Sequence, residues 1–262
     1  MMIRFEDVSK VLSGRAVLNH LSFEIRKGEV FIIVGPSGTG KSVTLKHIVR
    51  LMTPDSGKIW IGDQEISSRT GQPLEKIREK FGLLFQSGAL LEWMTLTDNV
   101  ALPLREKTKL SEEEILERVR HTLSLVGLEK EGEKYPSEIS GGMRKRAGLA
   151  RAIVRQPQII LYDEPTSGLD PMTSRTIDSL IRKLSDQLGV TSIVVSHDLQ
   201  GSLLIADRIA LLKDGAFVEC AAPEDFIRSA QPDVRGFLDA QFIAEDYLRQ
   251  FKRPPARAPK DR

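Results

Sequence analysis

The run "EVFIIVGPSGTGKS", Glu29 to Ser42, changes character halfway. Its first half is a short apolar stretch rich in β-branched residues, as expected of a parallel strand buried on both faces. Its second half, Gly35 to Ser42, matches G-x-x-x-x-G-K-[ST] in full. In the loop Gly35, Pro36, Ser37, Gly38, Thr39, Gly40, the glycines let backbone N–H groups turn inward around a phosphate. The helix that follows, with Val43 in its first turn, adds the partial positive charge of its N-terminus. Lys41 can reach β- and γ-phosphates, and Ser42 can place a hydroxyl on Mg²⁺. A chance glycine turn is the competing reading, and the strand before and helix after weigh against it.

Outward from this loop, the helix carries Leu45, Ile48, Val49 and Met52 on one face, and "TPDSG" is expected to stop it. Upstream, "IRFEDVSK" and "VLNHLSFEI" read as two strands joined at "SGR", and "KIWIGDQEI" as a further hairpin strand. Residues 87–155 read as mainly helical, with Ser111 as an N-cap. "QIILYDEP" and "TSIVVSHD" read as buried strands, separated by a helix with the stripe Ile177, Leu180, Ile181, Leu184 and Leu188, closed by Gly189. "RIALLKDGAFVE" reads as a terminal hairpin. Alternating strands and helices predict an α/β fold around a mainly parallel core sheet, with an N-terminal antiparallel β subdomain and an inserted helical subdomain. The expected division is 1–86 and 156–225 for the core, 87–155 for the helical part, and 226–262 for a C-terminal extension. That extension holds a predicted helix, "FIAEDYLRQF", and a proline-rich basic end, "KRPPARAPKDR", expected to be disordered.

Across 262 residues, 40% are hydrophobic, enough for a substantial core, and 38 basic against 36 acidic residues leave a net charge of +2. This balance argues against a nucleic-acid binder, which carries a marked basic excess. A lone cysteine, Cys220, excludes an internal disulfide framework and reads as a small buried hydrophobe. The start "MMIRFEDVSK" is broken by charge at once and is not expected to be a leader. No apolar run approaches the about 18 residues of a membrane span, so any membrane link is expected to come through a partner.

"IILYDE" ends its strand with Asp163 and Glu164. An acidic residue ending a parallel strand beside a phosphate loop is the usual second Mg²⁺ anchor, a role that fits Asp163. Just past the strand end, Glu164 can turn toward a γ-phosphate and accept a proton from an attacking water. The competing reading, a solvated acidic strand end, is disfavoured by Lys41 in the same chain.

The order of "GPSGTGKS", Gln86, "ISGGM", "ILYDEPTSGLD" and "SHD" resembles the nucleotide-binding subunit of ABC transporters over roughly residues 2–222. The resemblance implies an ATPase that uses ATP and Mg²⁺ and works as a head-to-tail dimer with a second copy of itself. It implies that Ser140, Gly141 and Gly142 form the signature motif and serve the nucleotide held by the partner, glycine being required so that backbone can close on the phosphate. It likewise implies that Gln86 touches Mg²⁺ and the attacking water, that His197 contacts the γ-phosphate and holds Glu164, and that Ser167 to Asp170 cross the dimer interface. Catalysis would rest on Glu164 and His197, and the metal on Ser42, Gln86 and Asp163. His20, His47 and His121 carry no motif. Two features depart from the family pattern: Met143 stands where glutamine is usual, and no aromatic lies near position 12 to stack on adenine. Val11, Leu12 and Val17, with Arg15 near, would take the base, which implies weakened base discrimination.

The phrases "FQSGAL", "DNVALPLRE", "SGGMRKRAGLARAI" and "FLDA" resemble the ATPase of Mla-type phospholipid transporters, whose signature commonly reads SGGM. The resemblance implies a transmembrane permease that docks on the segment after Gln86, with Trp93 and Met94 as anchors. It further implies an MCE-domain lipid-binding protein, a small STAS-domain subunit, and a place on the cytoplasmic face of the inner membrane. Six basic residues in the tail (Arg249, Lys252, Arg253, Arg257, Lys260 and Arg262) against Asp261 can attract anionic headgroups at about 1 kcal/mol each. A solvated tail, or packing of "FIAEDYLRQF" on a neighbouring ATPase subunit, is the other reading. Other functions to weigh are the same engine on an importer or exporter of another substrate, a soluble ABC protein of translation or repair, and a P-loop kinase.

Overall fold

A computed structural model describes residues 1–241. Along the chain, β1 (Ile3–Leu12) and β2 (Arg15–Ile25) form a hairpin, and β3 (Val30–Val34) runs into the glycine-rich loop and α1 (Lys41–Ile48). β4 (Ser56–Ile61), β5 (Gln64–Glu65), α2 (Gly71–Arg78) and β6 (Phe81–Leu84) follow. Three helices come next: α3 (Leu96–Lys107), α4 (Glu112–Leu125) and α5 (Gly141–Ile153). The chain then alternates through β7 (Ile159–Asp163), α6 (Pro171–Leu188), β8 (Thr191–Ser196), α7 (Leu199–Ile205) and β9 (Arg208–Lys213). It continues with β10 (Ala216–Ala221), α8 (Pro223–Arg228) and α9 (Pro232–Ala240).

Two sheets result: an antiparallel one in the order β2-β1-β4-β5 and a larger one in the order β10-β9-β3-β8-β7-β6. In the larger sheet only β10 runs antiparallel, as the hairpin partner of β9. The period-2 geometry of β3 divides the core. Val30, Ile32 and Val34 share a core with α3 to α9, while Phe31 and Ile33 share one with the antiparallel sheet, α1 and α2. There Phe31 meets Phe23, which stacks on Phe5 with ring centroids 4.5 Å apart and also contacts Phe217.

The helices start where short polar side chains cap them. Ser111 and Glu114 form a capping box at α4, Thr95 accepts from Asp98 N at α3, and Gly189 closes α6 at φ 63°. α8 and α9 belong to the same core as α3 to α7, through Phe226, Ile227, Val234 and Leu238.

Several expectations shift. α1 stops at Ile48, one turn short of Met52, because Arg50 turns left-handed at φ 59°. Leu188 is 39% exposed, because the end of α6 overruns the core and borders a crevice with Leu125 and Ile153 instead. Neither α2 nor β6 was anticipated, and residues 87–95 are not helical. The predicted helix "FIAEDYLRQF" and the basic tail lie outside the described residues. Among the described residues, no helix is long and apolar enough to cross a membrane.

Candidate functional site

Parallel register brings three strand ends to one edge. Val34 pairs with Ser196 and Asp163 with Val195, so the segments after β3, β7 and β8 emerge side by side. In open α/β sheets this carboxyl edge is where ligands bind. After β3, Pro36, Ser37 and Gly38 are exposed, and Thr39 Oγ1 donates to the carbonyl of Pro36 at 2.9 Å. Gly40 sits at φ 101°, and a Cβ there would stand 2.7 Å from the carbonyl of Val17, so glycine is needed for both conformation and space. Val43 turns inward and packs on the second core.

Lys41 Nζ donates to the carbonyls of Gly35 at 2.8 Å and Pro36 at 3.0 Å, and lies 3.9 Å from Glu164 Oε1. Burial pushes its pKa down, with Glu164 and Asp163 opposing the shift. The ammonium is thus held inside its own loop, next to the anionic strand ends. Ser42 Oγ donates to Asp163 Oδ1 at 2.8 Å.

β7 ends at Asp163, and Glu164 adopts φ 50°, a left-handed conformation that L-residues avoid. This turn sends the Glu164 carboxylate to the same side as Asp163, where strand alternation would have sent it away. Glu164 Oε2 accepts from His197 Nδ1 at 2.6 Å and from His197 N at 3.3 Å, while Glu164 N donates to Val195 O at 3.0 Å. Lys41, Ser42, Asp163, Glu164 and His197 therefore form one group. The side chain of Gln86 is placed differently: its Nε2 donates to Ser167 Oγ at 3.1 Å, on the loop after β7, rather than joining Ser42 and Asp163.

Ser140 caps α5, its hydroxyl accepting from Met143 N at 3.3 Å. Gly142 is buried against α6, where a Cβ would lie 2.5 Å from Thr173 Cγ2. The expected reason for this glycine, approach of backbone to phosphate, is thus joined by a second reason inside the chain. Gly141 faces Leu169 of the "SGLD" stretch. Met143 packs against the helical core, so its side chain is used in packing where the family pattern has an amide. Val11, expected near the base, is half exposed, and Val17 lies against Gly40.

Two polar arrangements escaped sequence reading. Buried Asn99 holds the loop after Gln86: its Oδ1 accepts from Leu91 N, and its Nδ2 donates to the carbonyls of Leu91, Met94 and Thr95. The loop so fixed presents Trp93 at 73% exposure. The second is an Arg175–Asp178–Asp198 group beneath His197. Arg175 Nη1 donates to Asp178 Oδ2 at 2.8 Å and Nη2 pairs with Asp198 Oδ2 at 3.0 Å, while Asp198 caps α7.

Burial pushes the Asp178 carboxyl up to about 6; Arg175 opposes this and Asp198 adds to it. The native state then binds more protons than the unfolded chain between the ordinary aspartate pKa near 4 and about 6, so this group's contribution is full below that window and is lost as pH rises through it. Asp178→Asn removes the dependence. Urea titrations at pH 4.5 and 8 should show the variant gaining about 2 kcal/mol on the wild type over that interval. An unchanged gap would refute the raised pKa.

Ser42 and Asp163 supply a hydroxyl and a carboxylate oxygen side by side, and among the described residues no group of three or more His, Cys, Asp or Glu could hold a metal. Such a donor pair fits Mg²⁺, which takes one or two protein oxygens and completes its shell with phosphate and water.

Comparison with known proteins agrees with this geometry. The family model described as "ABC transporter" matches residues 18–167. The chain is 42% identical over 241 residues to the "Probable ribonucleotide transport ATP-binding protein mkl" of Mycobacterium leprae, covering 92% of this chain and 70% of that one. It is 37% identical over 257 residues to the "Intermembrane phospholipid transport system ATP-binding protein MlaF" of Haemophilus influenzae, covering 95% and 97%. A solved dimeric structure of an ATP-binding cassette, in a post-hydrolysis state bound to ADP and Pi, superposes with a TM-score of 0.77 at 34% identity over 85% of this chain and 99% of that one. The chain therefore belongs to the ABC transporter family, as an ATP-binding and ATP-hydrolysing subunit.

Proposed function

We propose that this subunit powers phospholipid movement by an Mla-type transporter, at the cytoplasmic face of the inner membrane. The observation that carries the reading is the end-to-end match to the phospholipid-transport relative, 95% of this chain against 97% of that one. A second reading, transport of ribonucleotides, is favoured by the higher identity of 42% to the mycobacterial relative, of which the chain spans 70%.

In this account two copies face each other head to tail, and each nucleotide lies between the loop Gly35–Ser42 of one copy and Ser140–Gly142 of the other. The exposure of Ser140 and Gly141, and of Met172 at 83% next in sequence to the Thr173 that faces Gly142, supports a face that is covered in the working assembly. Lys41 would leave its loop carbonyls for the β- and γ-phosphates. Ser42 and Asp163, joined on closure by Gln86, would hold Mg²⁺, which supplies charge neutralisation of the phosphates. Glu164 takes the proton of the attacking water, and His197, already bonded to Glu164, holds that carboxylate in place. The remaining partners are a permease, an MCE-domain lipid-binding protein and a STAS-domain subunit. The permease docks on the Asn99-braced loop with Trp93 as its anchor, since an exposed aromatic on a rigid loop is the usual form of an interface hot spot. The core (1–86 and 156–225) and the helical part 87–155 would move relative to one another during the cycle.

Reconstitution with the cognate permease in phospholipid nanodiscs tests the reading. ATP-dependent delivery of phospholipid to an acceptor is expected. Trp93→Ala should weaken permease association by about 2 kcal/mol or more, roughly thirtyfold. Turnover that responds to ribonucleotides and moves no lipid would replace the first reading with the second.

A further inference from the structure

Lys145 is the fifth residue of α5 and is 5% exposed. An ammonium is buried only where hydrogen bonds replace its water. Lys145 Nζ donates to the carbonyl of Gln86 and, at 3.2 Å, to that of Glu164. Neither acceptor is a neighbour in sequence: one lies 59 residues before it and the other 19 after it.

The rest of that face of α5 is built for the same contact. Lys145, Gly148 and Arg151 recur at the spacing of one helical face. A Cβ on Gly148 would stand 2.9 Å from the carbonyl of Gly88, so the helix backbone rides directly on the turn that carries Gln86. That turn is closed by Gly88 N donating to Phe85 O at 2.9 Å. Arg151 Nη2 donates to the carbonyl of Gly88 at 3.1 Å, six residues further along the helix.

On its other side, Lys145 holds the carbonyl of Glu164, the residue in the left-handed conformation. Ser167 N donates to the same carbonyl at 3.2 Å, and Ser167 Oγ accepts from Gln86. One ammonium thus joins the helix that begins with Ser140–Gly142, the turn leading to Trp93, and the residue bonded to His197.

We propose that Lys145 is a positioning residue, which ties the helix of the Ser-Gly-Gly stretch to the Gln86 turn and holds Glu164 in its productive backbone conformation. The inference rests on the assignment of Glu164 as the base. It predicts a loss in turnover with little loss in nucleotide binding, because Lys145 touches the backbone of the catalytic segments and not the phosphate loop.

Lys145→Met and Lys145→Arg in the full chain test it, with equilibrium binding of a fluorescent ATP analogue, kcat, KM and thermal melting measured on each. Lys145→Met should lower kcat about tenfold or more while KM, nucleotide affinity and melting stay near wild type. Lys145→Arg, which keeps the charge and the donors, should retain kcat within about threefold. Lys145→Gln, which keeps donors without the charge, should fall between them and stands in for the methionine variant should that fail to fold. Wild-type kcat in the uncharged variants overturns the proposal. So does a loss of kcat matched by equal losses in binding and melting that arginine does not rescue. Glu164→Gln is assayed alongside: full activity there would refute the base assignment itself, whereas an inactive Glu164→Gln beside a fully active Lys145→Met would refute only the role of the lysine.

Discussion

Replacing Glu164 by glutamine is expected to leave ATP binding intact and to lower hydrolysis by about 10²–10⁴-fold, the scale of a lost general base. The substitution keeps the size of the side chain, and an amide oxygen can still accept from His197 Nδ1, now held at 2.6 Å by the carboxylate. What is lost is the capacity to take a proton from water. It also removes a negative charge 3.9 Å from Lys41 Nζ, which favours an incoming triphosphate. With binding intact and hydrolysis blocked, the closed pair should accumulate. Single-turnover hydrolysis and light scattering in ATP report the two effects. A variant that binds ATP, hydrolyses it at the wild-type rate and stays single would remove Glu164 from the mechanism.

The second large effect concerns Gly142, for which there are two separable demands. Inside the chain, a methyl group at this position collides with Thr173 Cγ2, at 2.5 Å before relaxation, which costs about 1–3 kcal/mol as overpacking. In the proposed head-to-tail pair, alanine here would also hold the backbone N–H groups of the helix start away from the partner's phosphate, and the loss of one such donor lowers turnover about 10²–10³-fold. Thr173→Ser deletes the colliding methyl and keeps the hydroxyl. Gly142→Ala should therefore lose both stability and activity, and Gly142→Ala with Thr173→Ser should recover melting temperature without recovering ATPase. Recovery of both would mean that the glycine serves only the packing of α5 on α6.

These predictions draw on parts of the molecule that were unequally legible. β3, its loop and α1 were readable because strand, glycines and helix occupy consecutive residues and each has a local signature. Asp163 and Glu164 were readable at the end of an apolar strand, and His197 through the family resemblance. That they meet was not local information; it follows from the parallel register of β7, β8 and β3. The left-handed turn at Glu164 left no mark, since glutamate is not a residue that announces φ 50°.

β6 is four residues long, and its place at the sheet edge is set by pairing with β7, which no window over "FGLL" contains. Periodicity placed Leu188 on the buried stripe of α6, and its direction is right, but periodicity does not say where the core ends. Asn99, Asp178 and Lys145 were invisible for a common reason. Each is a polar residue whose burial depends on partners that the fold supplies, and its one-letter code reads as surface. The lysine of the strongly basic stretch "GGMRKRAG" is only 5% exposed.

The central claim is that one chain carries only complementary halves of each reaction centre. ATPase rate per chain, measured against chain concentration with light scattering on the same solutions, tests it most directly. The rate per chain should rise with concentration in step with growth of mass from 29.3 kDa to about twice that value. Full turnover per chain at every dilution, in a solution whose mass stays at 29.3 kDa, would contradict it.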